Sequence, residues 1–219
     1  MNAHGGATQE REGVVRYLLR FKTGPAASAD RVVPLVVWRD LLVRLGLVGH
    51  DPARYHGLGF GNLSRRIDTR DGGAAFVVTG TQTGQLATLG PEHFAVVHAV
   101  DLSANAVDAS GPVEPSSEAL THAAVYAAAP WAQYVFHGHH PAIWRRSRVL
   151  GLPRTPAEVP YGTPAMAAAM AEYAAQADPA AGGLIVMDGH EDGVLCFAAT
   201  AGAAGGLLVT TLARALETR

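Results

Sequence analysis

Hydrophobic and polar residues alternate at the start of the chain. Val15, Tyr17, Leu19 and Phe21 share one side and Arg16 and Arg20 the other, which predicts a half-buried strand over residues 14–21. The period then lengthens. Asp30 can cap a helix that carries Pro34 in its first turn and ends near Gly46, with Leu41, Leu42 and Leu45 facing the core. After a glycine-rich loop at 57–61, residues 65–68 and 74–78 read as two strands joined by the turn Asp71-Gly72-Gly73. Residues 79–84 hold too much Gly and Thr for a regular element. Two more strands are expected over 94–102 and 106–109. Ser116 or Ser117 can cap a helix that runs to about Ala128 and stops before Pro130. A strand over 134–139 follows, then a short helix opened by Pro141 and an Ala-rich one opened by Thr163-Pro164 and reaching about Ala177. Strands over 183–187 and 194–198 flank a loop with His190, and a helix from about Ala201 to Leu216 closes the chain. Locally paired strands mixed with helices predict a layered α and β domain with a mainly antiparallel sheet.

Composition narrows the partners. A chain of 219 residues with 48% hydrophobic content can bury one substantial core, so one domain over 1–219 is expected, with 1–11 as a frayed tail. A net charge of −2 leaves no electrostatic footprint for nucleic acid or an anionic membrane. No stretch reaches the roughly 18 uncharged apolar residues of a membrane span. The first residues lack the apolar core of a signal peptide, which points to the cytoplasm. A single cysteine, Cys196, fits a reducing compartment, and its alternation with apolar neighbours predicts a buried, inert thiol.

The chemistry concentrates at His137-Gly138-His139-His140, which ends the apolar run Tyr134-Val135-Phe136. Residues i and i+2 of a strand point the same way, so His137 and His139 project together, with Gly138 leaving room between them. Two imidazoles on one face are part of a three-ligand metal site, and His190 is the best candidate for the third. Glu118 supplies a carboxylate near a helix start. Asn62, Thr83, Gly84, Ser116 and Ser117 offer the amides, hydroxyls and free N–H groups that suit an anion such as phosphate.

The ordered set of segments resembles the class II aldolase/adducin family, which includes fuculose-phosphate aldolase and ribulose-phosphate 4-epimerase. The segments are Gly61-Asn62-Leu63-Ser64, residues 79–84, and Pro115-Ser116-Ser117-Glu118 with His122. They continue with His137-Gly138-His139, Tyr161-Gly162-Thr163-Pro164 and Gly189-His190, in family order from about residue 34 onward. The resemblance implies a three-layer αβα sandwich around a largely antiparallel mixed sheet. It implies that His137, His139 and His190 bind a divalent metal, zinc first and manganese or another ion second. It makes Glu118 the carboxylate that shuttles a proton and can touch the metal, and assigns Asn62, Thr83, Gly84, Ser116 and Ser117 to a substrate phosphate. The implied activity is aldol cleavage or formation of a C–C bond in a small sugar or sugar phosphate through a metal-stabilised enediolate, in a homotetramer with sites between subunits. Epimerisation, dehydration or decarboxylation at the same site is the alternative, and a non-catalytic assembly role, as in adducin, belongs to a different class. Two departures bear on the reaction. The stretch between Pro141 and Tyr161 is short and leaves no place for the tyrosine that family aldolases use as an acid; Tyr161 is a poor substitute. The third-ligand segment, usually Asn-His-Gly, here reads Gly189-His190-Glu191-Asp192-Gly193.

Blander readings cover the rest. His4, His50, His56, His93 and His98 are expected to be structural or exposed. His122 can share a helix face with Glu118 and support the site by hydrogen bonding. His140 points away from His139. Glu191 and Asp192 read as a solvated loop, and Trp38, Trp131 and Trp144 as core or interface. Arg65, or another side chain lying in the anion pocket, would point to an unphosphorylated substrate.

Overall fold

The computed structural model describes residues 15–68 and 74–218. The strands are β1 (Leu18–Thr23), β2 (Gly49–His50), β3 (Gly59–Phe60), β4 (Asn62–Asp68), β5 (Ala74–Thr79), β6 (Phe94–Asp101), β7 (Ala106–Gly111), β8 (Tyr134–His139), β9 (Gly183–Val186) and β10 (Gly193–Ala198). The helices are α1 (Ala29–Arg44), α2 (Ala119–Ala128), α3 (Pro141–Arg146), α4 (Pro164–Gln176) and α5 (Ala201–Glu217). The eight-stranded sheet has the order β1-β7-β6-β5-β4-β8-β10-β9, antiparallel throughout except for the parallel pair β1–β7. Helices α2 and α4 cover one face over a core that includes Val78, Leu120, Val135, Met166 and Phe197. Helices α1, α3 and α5 cover the other, over Leu35, Leu42, Phe136, Ile143 and Leu208. The expected αβα layering and mixed sheet are what the chain forms. No helix of the described residues is long and apolar enough to cross a membrane. The expected tail at 1–11, His4 and the turn at 71–73 lie outside the described residues.

The first strand begins later than its alternation suggests, at Leu18, although Tyr17, Leu19 and Phe21 still pack against one core. In α1 the buried positions are Val32, Leu35, Arg39 and Leu42, while Leu41 and Leu45 are exposed. The spacing of three and four residues sets the face, and the guanidinium of Arg39 takes an inward position that a reading based on leucines assigned elsewhere. Pro34 sits inside the helix, beyond its first turn. The helix ends as expected. Gly46 adopts φ 68°, its N–H reaches the Val43 carbonyl, and the Leu47 N–H reaches Leu42 at 2.9 Å. This paired closure packs Leu47 against the last turn.

Gly138 serves a different purpose from the one its neighbours suggested. A Cβ there would meet the Leu47 carbonyl at 2.9 Å. That carbonyl accepts the His139 N–H at 2.7 Å, so the missing side chain lets the end of α1 dock on β8. The serines before α2 do not occupy its capping position. Glu118 does, and the Ser116 carbonyl receives the Ala119 N–H at 3.0 Å. Ser116 is held back because its own N–H bonds the Thr79 carbonyl at 3.1 Å, beside the bridge between Gly80 and Pro115.

Candidate metal centre and anion pocket

β8 is an interior strand, bounded by β4 and β10. Phe136 enters one core and Val135 the other, so His137 and His139 follow Val135 onto the face covered by α2 and α4. His190 arrives on the β9–β10 hairpin, its N–H on the Met187 carbonyl at 3.1 Å and its carbonyl accepting from Gly193 at 2.9 Å. The three rings meet. The Nε2 atoms of His137 and His139 are 2.7 Å apart, and one ligating atom from each of the three lies within 4.8 Å of the others. No ring is more than 2% exposed.

Burial is the main cause that keeps these imidazoles neutral. It lowers His137 to about 3 and His139 and His190 well below the usual histidine range. For His139 the neighbouring rings and then Arg54 act the same way, against a hydrogen bond to the Glu191 backbone; for His190 the additional causes are His137 and Arg16. A neutral imidazole is the form that ligates a metal. A tetrahedral ion with nitrogen ligands at roughly 2.0–2.1 Å spaces them by roughly 3.3 Å, so donors 2.7 Å to at most 4.8 Å apart fit one after modest shifts.

The five residues expected to hold an anion line one pocket. Asn62, Thr83, Gly84, Ser116 and Ser117 surround it with Gly59, Gly61, Gly80, Thr81 and Gln82. It adjoins the histidines, since Asn62 pairs with His137 across β4–β8. Arg65 stays outside, donating to the carbonyls of Asp30 and Arg31. Glu118 is 1% exposed, at the start of α2 where the helix dipole favours a carboxylate. Tyr17 donates to the Ser116 carbonyl at 2.8 Å, and its phenol is kept protonated by burial first and then by the charges of Glu118 and Glu114.

Four side chains around the site were not read from the sequence in these roles. Arg39, 3% exposed, donates to the carbonyls of Gly84 (3.2 Å), Leu86 (2.5 Å) and Ala87 (3.1 Å), which fixes the loop that carries Thr83. A cation on the inward stripe of a helix was the signal. Asp192, expected to be solvated, is buried: its carboxylate accepts from Tyr55 at 2.8 Å and faces Arg54 at 3.7 Å. Glu191 is exposed as expected. Tyr55 also meets the His139 ring edge-on at 4.9 Å. Tyr161, 1% exposed, stacks on His190 at 4.3 Å with Arg16 against its ring. His140 caps α3 through Nδ1, and Trp38, Trp131 and Trp144 pack or bond within the protein. Cys196 is buried, with its thiol pushed up by burial.

The sequence profile of the Class II Aldolase and Adducin N-terminal domain matches residues 51–216. The chain belongs to the class II aldolase and adducin family. Among solved structures, it is similar to the L-fuculose-1-phosphate aldolase of Thermus thermophilus, at 19% identity and a TM-score of 0.62, covering 86% of this chain and 92% of that one. It is equally similar in fold to Escherichia coli YgbL, a candidate aldolase/epimerase/decarboxylase, at 18% identity and a TM-score of 0.62, covering 87% and 90%. No curated protein matches the chain by sequence. At these identities the neighbours show the class II aldolase fold. Family membership supports an aldolase-type or related activity, and class II aldolases use a divalent metal for which the three histidines are a suitable donor set.

Proposed function

We propose that this class II aldolase family member is a metal-dependent lyase that breaks or makes a C–C bond in a small sugar or sugar phosphate. One observation carries the reading. The three-imidazole cluster adjoins the anion pocket, with Asn62 of the pocket paired to His137 of the cluster, and the buried Glu118 directly follows Ser117 of the pocket in the chain. His137, His139 and His190 would hold the divalent ion, zinc first and manganese second, as suits a nitrogen donor set. When bound, such an ion supplies a Lewis acid for negative charge developing on substrate oxygens. Asn62, Thr83, Gly84, Ser116 and Ser117 hold the anionic end of the substrate, and in this reading its far end extends toward the histidines. Glu118 takes the proton released when the bond breaks and returns it to the carbon left behind. Its burial keeps bulk water from doing either. The same reading implies a homo-oligomer, a tetramer first, in the cytoplasm, with neither nucleic acid nor membrane as partner.

A second reading is favoured by the short stretch between Pro141 and Tyr161, which holds no tyrosine to act as an acid toward a leaving aldehyde and so suits epimerisation, dehydration or decarboxylation at the same site. The test is metal analysis of the purified protein followed by a retro-aldol screen on sugar phosphates. Glu118→Gln is expected to lower turnover by about 10²–10⁴-fold while metal content stays at the wild-type level. Unchanged turnover removes Glu118 from the chemistry. A protein that takes up neither zinc nor manganese favours an adducin-like assembly role.

A further inference from the structure

Helix α1 is apolar on two opposite sides. Its inward positions include Val32, Leu35 and Leu42, packed over the sheet. Its exposed positions from Asp30 to Arg44 are Asp30, Val33, Val37, Leu41 and Arg44. At 3.6 residues per turn these five fall within about 80° of arc, so they form one narrow stripe. Val33 and Val37 are each 53% exposed and Leu41 is 43% exposed; Leu45, just past the helix end, is 41% exposed. A helix with one core to cover presents a polar outer face, whereas one that is apolar on opposite sides is covered on both. The sheet covers α1 once. Among the described residues nothing covers it a second time. The rest of the chain, residues 1–14, 69–73 and 219, holds only Met1 and Val14 as large apolar side chains, too little to match the stripe.

We infer that the outer face of α1 docks on a second copy of this chain, packed antiparallel about a twofold axis through Val37, with Asp30 of each copy against Arg44 of the other. The inference rests on the homo-oligomer reading above and is independent of the metal centre. The stripe matches itself about Val37. Val33 and Leu41 lie four residues to either side of it, and Asp30 and Arg44 lie seven, about 10 Å along the helix axis. The twofold axis sets Val37 on Val37 and Val33 on Leu41, and pairs the acidic end with the basic end twice. A surface that complements itself in this way is what a twofold interface requires. A parallel copy sets like charges together at both ends, which opposes association. The neighbouring charges have other partners. Asp40 is half-buried and pairs with Arg39 at 3.5 Å, and Arg65 donates to the carbonyls of Asp30 and Arg31.

Sedimentation velocity on the full chain, followed over a concentration series, tests the surface and its register. Val37→Lys sets two like charges on the axis and is expected to weaken association by about 100-fold. Asp30→Arg or Arg44→Asp alone sets like charges at both ends and is expected to weaken it by about tenfold. The two together exchange the ends and are expected to restore wild-type association. A short thiol crosslinker gives a second measurement, in which buried Cys196 takes no part. Val37→Cys is expected to join two copies, whereas Asp30→Cys, about 20 Å from its counterpart, stays unlinked. All three positions are exposed, so folding is not at stake. A monomeric wild type overturns this inference and the homo-oligomer together, and leaves the lyase reading standing. An oligomer that Val37→Lys leaves intact overturns this inference alone. So does a combined charge exchange that fails to restore association, or an Asp30→Cys protein that links to its own counterpart.

Discussion

The histidine cluster and the anion pocket are neighbours built in opposite ways. The cluster consists of side chains on rigid backbone: two from an interior strand and one from a hairpin, all nearly sealed from water. The pocket consists largely of backbone and small side chains in loops, and its shape depends on Arg39 gripping the carbonyls behind it. The first region owes its chemistry to residue identity and the second to conformation. They should therefore fail under different perturbations.

Acid should separate them most strongly. An unfolded histidine takes up a proton as pH falls through about 6.5, whereas folded His137 does so only near about 3. Across that window the unfolded chain binds more protons, so stability is full above pH 6.5 and declines as pH falls. Between pH 7 and 5 His137 alone accounts for about 2 kcal/mol, and His122, His139 and His190 are shifted in the same direction. Urea midpoints of chelator-treated protein should drop steeply over that range, and the drop should shrink in His137→Asn. Ser117→Ala, in the pocket, should leave the slope unchanged. A midpoint that is flat from pH 7 to 5 contradicts the sealed cluster.

The same contrast explains what the sequence revealed. His137 and His139 were legible because a strand has period two and the apolar run before them marks the strand. The layering was legible from alternating patterns and from helix openings such as Thr163-Pro164, where the Thr163 hydroxyl does accept the N–H of Met166. The pocket residues could be named only through a motif, since Asn, Thr, Gly and Ser fill ordinary turns as well. Arg39 was missed because leucines are a weaker guide to a helix face than spacing. Asp192 was missed because its burial depends on Arg54 and Tyr55, far away in the chain, and no local pattern encodes that meeting.

Arg39 offers the next largest effect, on the pocket side. Arg39→Met keeps the length and apolar stem but leaves the carbonyls of Gly84, Leu86 and Ala87 without their donor. Lost donors to buried acceptors of this kind cost about 1–3 kcal/mol each before relaxation, so a stability loss of about 3 kcal/mol is expected in urea unfolding. Calorimetric titration with inorganic phosphate should show about tenfold weaker binding, which corresponds to about 1.4 kcal/mol, while zinc content stays unchanged. Loss of zinc with intact phosphate binding would reverse the assignment of Arg39 to the pocket.

The smallest effect is expected where this chain departs from the family's usual third-ligand segment. Tyr55, His56 and Asp192 are non-glycine residues with φ of 48°, 59° and 60°, a left-handed backbone that persists only where contacts hold it. Here the contacts are those of Asp192 with Tyr55 and Arg54, made directly behind His139 and two residues from His190. Tyr55→Phe keeps the ring against His139 and removes only the hydroxyl. A hydrogen bond to a charged acceptor contributes about 1.5–3 kcal/mol, and Arg54 can move toward Asp192 to recover part of it, so a net loss of about 1 kcal/mol is expected. Because the strained hairpin then relaxes around His190, zinc affinity should fall a few-fold in chelator competition while phosphate affinity holds. Unchanged zinc affinity would show that the cluster is seated by its own strand and hairpin alone, with Asp192 serving only to bury the loop that carries Tyr55.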